Sequence, residues 1–326
     1  MAAMKAIAID RNGGPEVLEV RDVEVPSPKR GEALVHLEAS GVNFIDVYFR
    51  TGTYKAPGFP LVIGQEGAGT VESGGEDVTS VRPGDRVAYA GVLGSYAEYA
   101  AVPADRLVVV PAEVSLRDAA ALMLQGMTAH YLVNSTFPLQ AGQTALVQAG
   151  AGGVGLLLTQ LAKAKGATVL TTVSSEAKAE LSRRAGADLV IDYTREDFAK
   201  AARDATSGKG VDVVYDSVGK TTWEKSLDAL RPRGYFVLFG GSSGQVPPFD
   251  LQVLNQKGGL FVTRPSLGQY IATREELEWR ARDLFDAVRN GALSLRVEHL
   301  YPLADATRAH QDLEARKTTG KLLLLV

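Results

Sequence analysis

From about residue 142 the chain alternates short, β-branched apolar runs with helix-length amphipathic stretches. Strands are expected over 144–148, 168–173, 189–191, 211–215, 235–239 and 260–263, and helices over 154–165, 176–185, 198–206 and 222–230. A strand that is apolar on both faces must be covered on both sides. Six such strands with intervening helices make a doubly wound parallel sheet. The first third lacks that rhythm. Short strands at 5–9, 16–20, 33–39 and 67–73 are separated by Gly13-Gly14, Pro26-Ser27-Pro28, Gly74-Gly75 and Pro83-Gly84-Asp85, which predicts a compact antiparallel, barrel-like unit. Helices are expected at 43–51 and 117–134, the second with Ala119, Ala120, Leu122, Met123 and Met127 at its apolar positions. Residues 273–290 read as a long amphipathic helix: Thr273 and Glu276 make a capping box, and Leu277, Leu284, Phe285 and Val288 share a face. The chain closes on an apolar strand, 322–326. The fold class is therefore α/β. A β-rich domain is assembled from 1–125 and 265–326, with a parallel-sheet domain, 126–264, inserted into it.

Between the first strand of the parallel sheet and its helix stand Gly150, Gly152 and Gly155, in G-x-G-x-x-G spacing, followed by Leu156, Leu157, Leu158 and Leu161. Gly150 permits a tight turn, and Gly152 lets backbone N–H groups approach a pyrophosphate. Gly155 lets helix and strand pack closely, and the helix N-terminus attracts the phosphates. A plain strand–helix turn needs no ligand, but a strand before and a helix after the motif is the context of a dinucleotide site. The next strand ends in Ser174-Ser175 where an NAD-selective site would carry Asp or Glu, and Lys178 follows one helical turn later. A charge-assisted bond from Lys178 to a 2′-phosphate is worth ~1.5–3 kcal/mol, roughly ten- to a hundredfold in affinity. Glu176 is expected to turn to solvent, and the serine pair can also cap the helix. The implied coenzyme is NADPH.

Composition narrows the rest. The 326 residues carry a net charge of −3, with 45% apolar and 22% charged side chains, so no global positive field recruits nucleic acid. No apolar run approaches the ~18 residues of a spanning helix. Met1–Lys5 runs into a strand rather than a signal peptide, and the expected location is the cytoplasm. The absence of cysteine excludes disulfides, thiol catalysis, thiolate zinc ligands and iron–sulfur clusters. His36, His130, His299 and His310 include no pair at metal-ligand spacing, so no metal is assigned. His36 belongs to a strand, and His310, in a polar helical segment, is expected to be solvated.

Several longer runs carry a resemblance. Gly41-Val-Asn-Phe-Ile-Asp-Val-Tyr-Phe-Arg50, Gly64-Gln-Glu-Gly-Ala-Gly-Thr-Val71, Pro83-Gly-Asp-Arg-Val87, Gly94-Ser-Tyr-Ala-Glu98 and 149–155 resemble the medium-chain dehydrogenase/reductase superfamily. Tyr215-Asp-Ser-Val-Gly219, Phe239-Gly-Gly-Ser-Ser-Gly244, Leu254-Asn-Gln-Lys-Gly258 and Val262-Thr-Arg-Pro-Ser-Leu267 are similar to its zinc-free, zeta-crystallin-like NADPH:quinone oxidoreductase branch. The resemblance implies a GroES-like catalytic domain and a Rossmann domain with the active-site cleft between them, a homodimer, and a quinone as substrate. In zinc-bearing relatives a cysteine takes the place of Asn43 and a histidine that of Gln65; a carboxamide is a poor replacement for either on zinc. By motif, Gly152, Gly153 and Val154 should meet the pyrophosphate. Ser174, Lys178 and Tyr193 should surround the 2′-phosphate, and Ser217, Phe239, Gly240, Ser242 and Arg264 should follow toward the nicotinamide. Asn43 and Asp46 should border the coenzyme, and Asn43, Tyr48 and Tyr54 the substrate. Gly150 replaces an alanine common in close relatives, a departure expected to leave phosphate binding intact.

Quinone reduction asks the protein for proximity, orientation and exclusion of water more than for proton transfer. The expected arrangement stacks the quinone under Tyr48 and Tyr54, with Asn43 hydrogen-bonding a carbonyl oxygen as charge develops. Each residue has a plainer reading. Tyr48 can pack on Phe44, Asn43 can cap its helix, Asp46 can lie on that helix's solvated face, and Arg264 can be a surface arginine. Two other functions remain open: NADPH-dependent reduction of an enone or enal C=C bond, and a crystallin-like or RNA-binding role. The acidic balance and the lack of an arginine-rich stripe disfavour RNA.

Overall fold

The computed structural model describes residues 2–326. In chain order the elements begin with β1 (Ala3–Ile9), β2 (Glu19–Glu24), β3 (Glu32–Val42), α1 (Phe44–Thr51), β4 (Leu61–Val62), β5 (Glu66–Gly74), β6 (Arg86–Ala90), β7 (Tyr99–Pro103), β8 (Val108–Val109) and α2 (Leu116–Tyr131). There follow β9 (Thr144–Val147), α3 (Gly153–Ala164), β10 (Thr168–Val173), α4 (Glu176–Arg184), β11 (Leu189–Asp192), α5 (Phe198–Ala205), β12 (Val211–Asp216), α6 (Trp223–Ala229), β13 (Leu230–Leu238), α7 (Gln252–Gln256) and β14 (Phe261–Thr263). The chain ends with α8 (Leu267–Tyr270), α9 (Arg274–Arg289), β15 (Val297–Pro302), α10 (Ala306–Glu314) and β16 (Lys321–Leu325). It divides into two compact units: residues up to Met127 together with Tyr270–Val326, and Thr128–Gln269.

The first unit is built on β3. This strand pairs with β5, β7 and β16, within a sheet ordered β15-β16-β3-β5-β6-β8. Ala33, Val35 and Leu37 alternate inward against Val87, Tyr89, Val102 and Leu107, the period-2 burial a half-covered strand requires. A second core gathers Ile7, Ile9, Val42, Ile63, Tyr96, Leu322 and Leu324, so the C-terminal strand is stitched into the N-terminal sheet. Leu322 lies opposite Val42 in that pairing, which brings Lys321 level with the start of α1. A smaller sheet, β2-β1-β4, completes the unit. The strand expected at 16–20 starts three residues later and runs on to Glu24. Pro15–Val17 make one 3₁₀ turn and β2 starts at Glu19. Val17 and Leu18 are both buried, and consecutive strand residues, which face opposite ways, could not share one core.

The second unit holds six parallel strands ordered β11-β10-β9-β12-β13-β14, the doubly wound pattern that the alternating apolar runs predict. Leu146, Leu170, Ile191, Val214 and Phe236 from five of the strands pack against Phe198, Ala202 and Leu227 of α5 and α6. Strand order reverses at β9, whose neighbours are β10 on one side and β12 on the other. In such sheets ligands bind beyond the carboxyl ends of the strands at that reversal.

Candidate active site

At the carboxyl edge of the parallel sheet the turn after β9 is tightened by Ala149, which has φ 55°. Gly150, expected to serve that purpose, has no positive φ. It is required instead because a Cβ there would lie 2.5 Å from the Thr171 Cβ and 2.9 Å from the Ser182 hydroxyl. An alanine at 150 would therefore demand that β10 or α4 give way. Gly155 behaves as expected, since a Cβ would overlap the Ala149 carbonyl. Gly152 is the N-cap of α3 and brings no side-chain cap to the first-turn N–H groups. Those donors have no intrahelical acceptor, and Gly152, Gly153 and Val154 are partly exposed. This cradle fits a phosphate.

Ser174 ends the β10 edge, and Lys178 donates to its hydroxyl at 3.4 Å. Ser175 caps α4 by accepting from the Lys178 N–H. Glu176 does turn outward, its side chain 79% exposed and paired with Arg183 at 2.6 Å. That guanidinium holds the Glu176 carboxyl below its usual range. Tyr193 is brought beside this edge by its N–H donating to the Val173 carbonyl at 3.1 Å. Farther along, the Ser242 N–H donates to the Ser217 carbonyl at 3.1 Å, and a Cβ on Gly240 would come within 2.6 Å of that same oxygen. Phe239 and Gly240 donate their N–H groups to the Asp216 carbonyl. Arg264 follows β14 at the same edge. All the residues assigned to the coenzyme in this unit thus lie along one border of one sheet.

In the first unit α1 is inverted. Its inward positions are Asp46, Val47 and Arg50, two of them charged, while Phe44 and Tyr48, one helical turn apart, are only half buried. The Tyr48 ring lies 6.4 Å from Phe44 and 5.2 Å, edge-on, from Tyr54, which also packs on Phe49. The Tyr54 N–H donates to the Tyr48 carbonyl at 3.0 Å, tying the loop to the helix. The result is an aromatic ledge of Phe44, Tyr48 and Tyr54.

The charged inner face is largely engaged in hydrogen bonds. Asp46 accepts from the Asn43 N–H at 2.8 Å and from the Tyr96 hydroxyl at 3.1 Å, while its other oxygen has no protein partner. Burial pushes its carboxyl up to about 7, against the pull of these donors and of Lys321. Arg50, a donor only, bonds His310 Nδ1 at 3.0 Å and Glu314 at 2.8 Å. Nδ1 is then an acceptor, so Nε2 carries the hydrogen and donates to Tyr96 at 3.1 Å. His310 is thus buried, contrary to its expected solvation, and burial with the adjacent Arg50 lowers it to about 3. Asp46, likewise, is not on a solvated face.

Asn43 is equally committed. Its Nδ2 donates to Glu66 at 2.8 Å and to the Gly41 carbonyl at 3.3 Å; its Oδ1 accepts from Lys321 at 2.8 Å and Gln125 at 3.2 Å. Lys321 and Glu66 form a buried ion pair. Both Asn43 amide hydrogens are taken, so the hydrogen bond to a substrate carbonyl expected of it would require breaking one of these. Sequence reasoning missed Glu66, Tyr96, Gln125 and Lys321. Of these, only the Gly64-Gln-Glu and Ser-Tyr-Ala runs gave any signal. Among the described residues no group of three or more His, Cys, Asp or Glu could hold a metal ion. The side chains around Asn43 are the Gln125 carboxamide, the Lys321 ammonium and a single carboxylate, Glu66, already paired with that ammonium, a set that does not fit zinc.

Residues 29–112 match the alcohol dehydrogenase GroES-like domain, and 153–281 match a domain described as zinc-binding dehydrogenase. Together with the parallel sheet these define a medium-chain dehydrogenase/reductase. A quinone oxidoreductase of Pseudomonas aeruginosa is 48% identical over 98% of this chain and 99% of its own. A crystal structure of Escherichia coli quinone oxidoreductase complexed with NADPH superposes with a TM-score of 0.97, at 44% identity, covering 99% of this chain and 100% of that one. A 2-haloacrylate reductase of a Burkholderia species is 42% identical over 98% of both chains. The chain belongs to the quinone oxidoreductase family.

Proposed function

We propose that this protein is an NADPH-dependent quinone oxidoreductase. The observation that carries the reading is the uncapped glycine turn at the sheet edge, with Ser174 and Lys178, not a carboxylate, at the end of β10. In it, Gly152, Gly153 and Val154 hold the pyrophosphate on backbone N–H groups. Ser174, Lys178 and Tyr193 receive the 2′-phosphate, and Ser217, Phe239, Gly240, Ser242 and Arg264 the nicotinamide half. The NADPH complex of the E. coli relative supports this assignment. Bound NADPH supplies the hydride; the protein orients the partners and keeps water away. The ledge of Phe44, Tyr48 and Tyr54 offers flat apolar surface to a quinone ring. Asn43 and Asp46 hold the first turn of α1: one Asp46 oxygen receives the Asn43 N–H, and the Asn43 carboxamide is engaged with Glu66 and Lys321. The reaction is metal-independent, since the Lys321 ammonium repels a divalent cation from Asn43 and Glu66.

The same reading makes the protein a cytoplasmic homodimer, drawing on a reduced coenzyme pool and joined along β14. No helix among the described residues is long and apolar enough to cross a membrane. The test is to mix the purified chain with a para-quinone and either coenzyme and follow loss of the reduced nicotinamide absorbance. Rapid loss with NADPH and slow loss with NADH is expected; no oxidation of NADPH by any quinone would end the reading.

The 2-haloacrylate reductase relative favours one second reading, reduction of an activated C=C bond. That chemistry adds a proton to the carbon beside the carbonyl, and of the two tyrosines on the ledge, Tyr48 and Tyr54, the reading gives that role to the Tyr54 hydroxyl. Tyr54→Phe should then abolish turnover of an unsaturated ketone while sparing that of a quinone. Equal rates for wild type and variant on the ketone would remove Tyr54 from the role.

A further inference from the structure

Asp216 is fully buried at the carboxyl end of β12, and the proposed chemistry makes no use of its charge. One oxygen accepts the N–H groups of Val218 at 2.7 Å and Gly219 at 2.9 Å. The other accepts the hydroxyls of Thr222 at 2.7 Å and Ser226 at 2.9 Å. A carboxylate can only accept, so the Ser226 hydroxyl must point its hydrogen at Asp216 and offer a lone pair elsewhere. That lone pair receives Gln148 Nε2 at 3.2 Å. The amide is thereby oriented: its Oε1 faces the other way and accepts the Thr172 hydroxyl at 2.6 Å. Thr172 is left with a lone pair, which receives the Ala149 N–H at 3.2 Å. Ala149 is the residue held at φ 55°, where the glycine turn begins.

We propose that Asp216 is a positioning residue for the glycine turn, acting on it through this buried, one-directional chain of Ser226, Gln148 and Thr172. The chain crosses the sheet edge from β12 to β10 and reaches the turn that cradles phosphate. Asp216 also anchors the opposite end of the proposed coenzyme site, since its carbonyl accepts the Phe239 and Gly240 N–H groups. One residue therefore sets the backbone at both ends, and a rotor reversed anywhere along the chain is felt at Ala149. An alanine at positive φ is strained, and such a conformation persists only where its surroundings hold it. The relay supplies that hold. As a statement about coenzyme binding, the inference rests on the NADPH reading above.

The test uses three conservative variants of the full chain. Thr172→Val deletes the hydroxyl at nearly constant shape, Thr172→Ser keeps it, and Ser226→Ala breaks the chain two side chains away from the turn. Hydrogen exchange of the Ala149 amide, followed by NMR without coenzyme, should quicken in Thr172→Val and in Ser226→Ala and stay slow in Thr172→Ser. The dissociation constant for 2′,5′-ADP, measured by calorimetry, should rise about three- to tenfold in the first two variants and stay at the wild-type value in the serine variant. The double variant Thr172→Val/Ser226→Ala should be no worse than either single one, because both cut the same chain. Wild-type Ala149 exchange in Ser226→Ala, or additive effects in the double variant, would overturn the relay. If the wild-type chain binds neither 2′,5′-ADP nor NADPH, the coenzyme reading falls, and the exchange rates still decide whether the relay exists.

Discussion

Lys321 brings a full positive charge into the interior, where Glu66 and Asn43 receive it, and Gly41 makes room for the pair. A Cβ on Gly41 would overlap the Glu66 carboxylate and lie 2.7 Å from the ammonium. Removing one partner of a buried pair leaves the other charged and desolvated, at a cost of about 3–5 kcal/mol. Lys321→Met should therefore destabilise the protein by that amount in urea unfolding, and Glu66→Gln added to it should restore most of the loss. Simple additivity of the two would mean the ions do not act as a pair. Ser174→Asp tests the other unit at the same scale. A carboxylate beside the proposed 2′-phosphate should shift the ratio of kcat/KM for NADPH over NADH toward NADH by at least about tenfold. Ser174 and Lys178 are legible in the sequence because they stand at a fixed offset from a motif. Lys321 is not, because its partners lie 278 and 255 residues away and its neighbours read only as a buried strand.

Helix α1 was legible as an element and illegible as a surface. Its cap and length agree with the pattern, yet its charged residues point inward and its aromatics outward. The reason lies in elements distant in sequence: Tyr96 precedes β7, and His310 and Glu314 belong to α10. Together they turn what reads as the polar face of two helices into one buried contact. Two groups in it titrate abnormally and in opposite senses. Asp46, raised to about 7, binds its proton more tightly folded than unfolded, so its contribution to stability is full at low pH and is lost as pH rises through the folded value. His310, lowered to about 3, resists protonation when folded, so its contribution is present above its ordinary range and lost as pH falls. Between about pH 4 and pH 6.5 the two slopes oppose each other in the wild type. Relative to wild type, Asp46→Asn should make the melting temperature rise more steeply with pH across that window. His310→Gln should make it fall. Parallel curves for all three proteins would show that neither group carries the shift assigned to it.

For the molecule as a whole, the change of hydrophobic rhythm near residue 142 marked the passage to a six-stranded parallel sheet, whose number of strands and winding followed from that rhythm. The last of the six runs, 260–262, reads as an edge strand and a seam for a second copy, and the sheet order places β14 at one edge. The parallel sheet has two edges. At β11 the strand ends in Asp192 and is preceded by Asp188, charges that discourage pairing with another chain. β14, Phe-Val-Thr, carries none: Phe261 is 50% and Val262 38% exposed, so apolar groups show on both faces of an open edge. Phe261 is stacked on Tyr235 at 4.6 Å. A second copy related by a two-fold axis could lay its own β14 antiparallel against this one, continuing the sheet and burying both pairs of side chains. Val262→Lys places a charge at the centre of that seam without touching the Phe261 stack. Light scattering should give the mass of a dimer for the wild type and of a monomer for the variant, with unchanged circular dichroism. A monomeric wild type, or a variant that stays dimeric, would move the seam elsewhere or remove it.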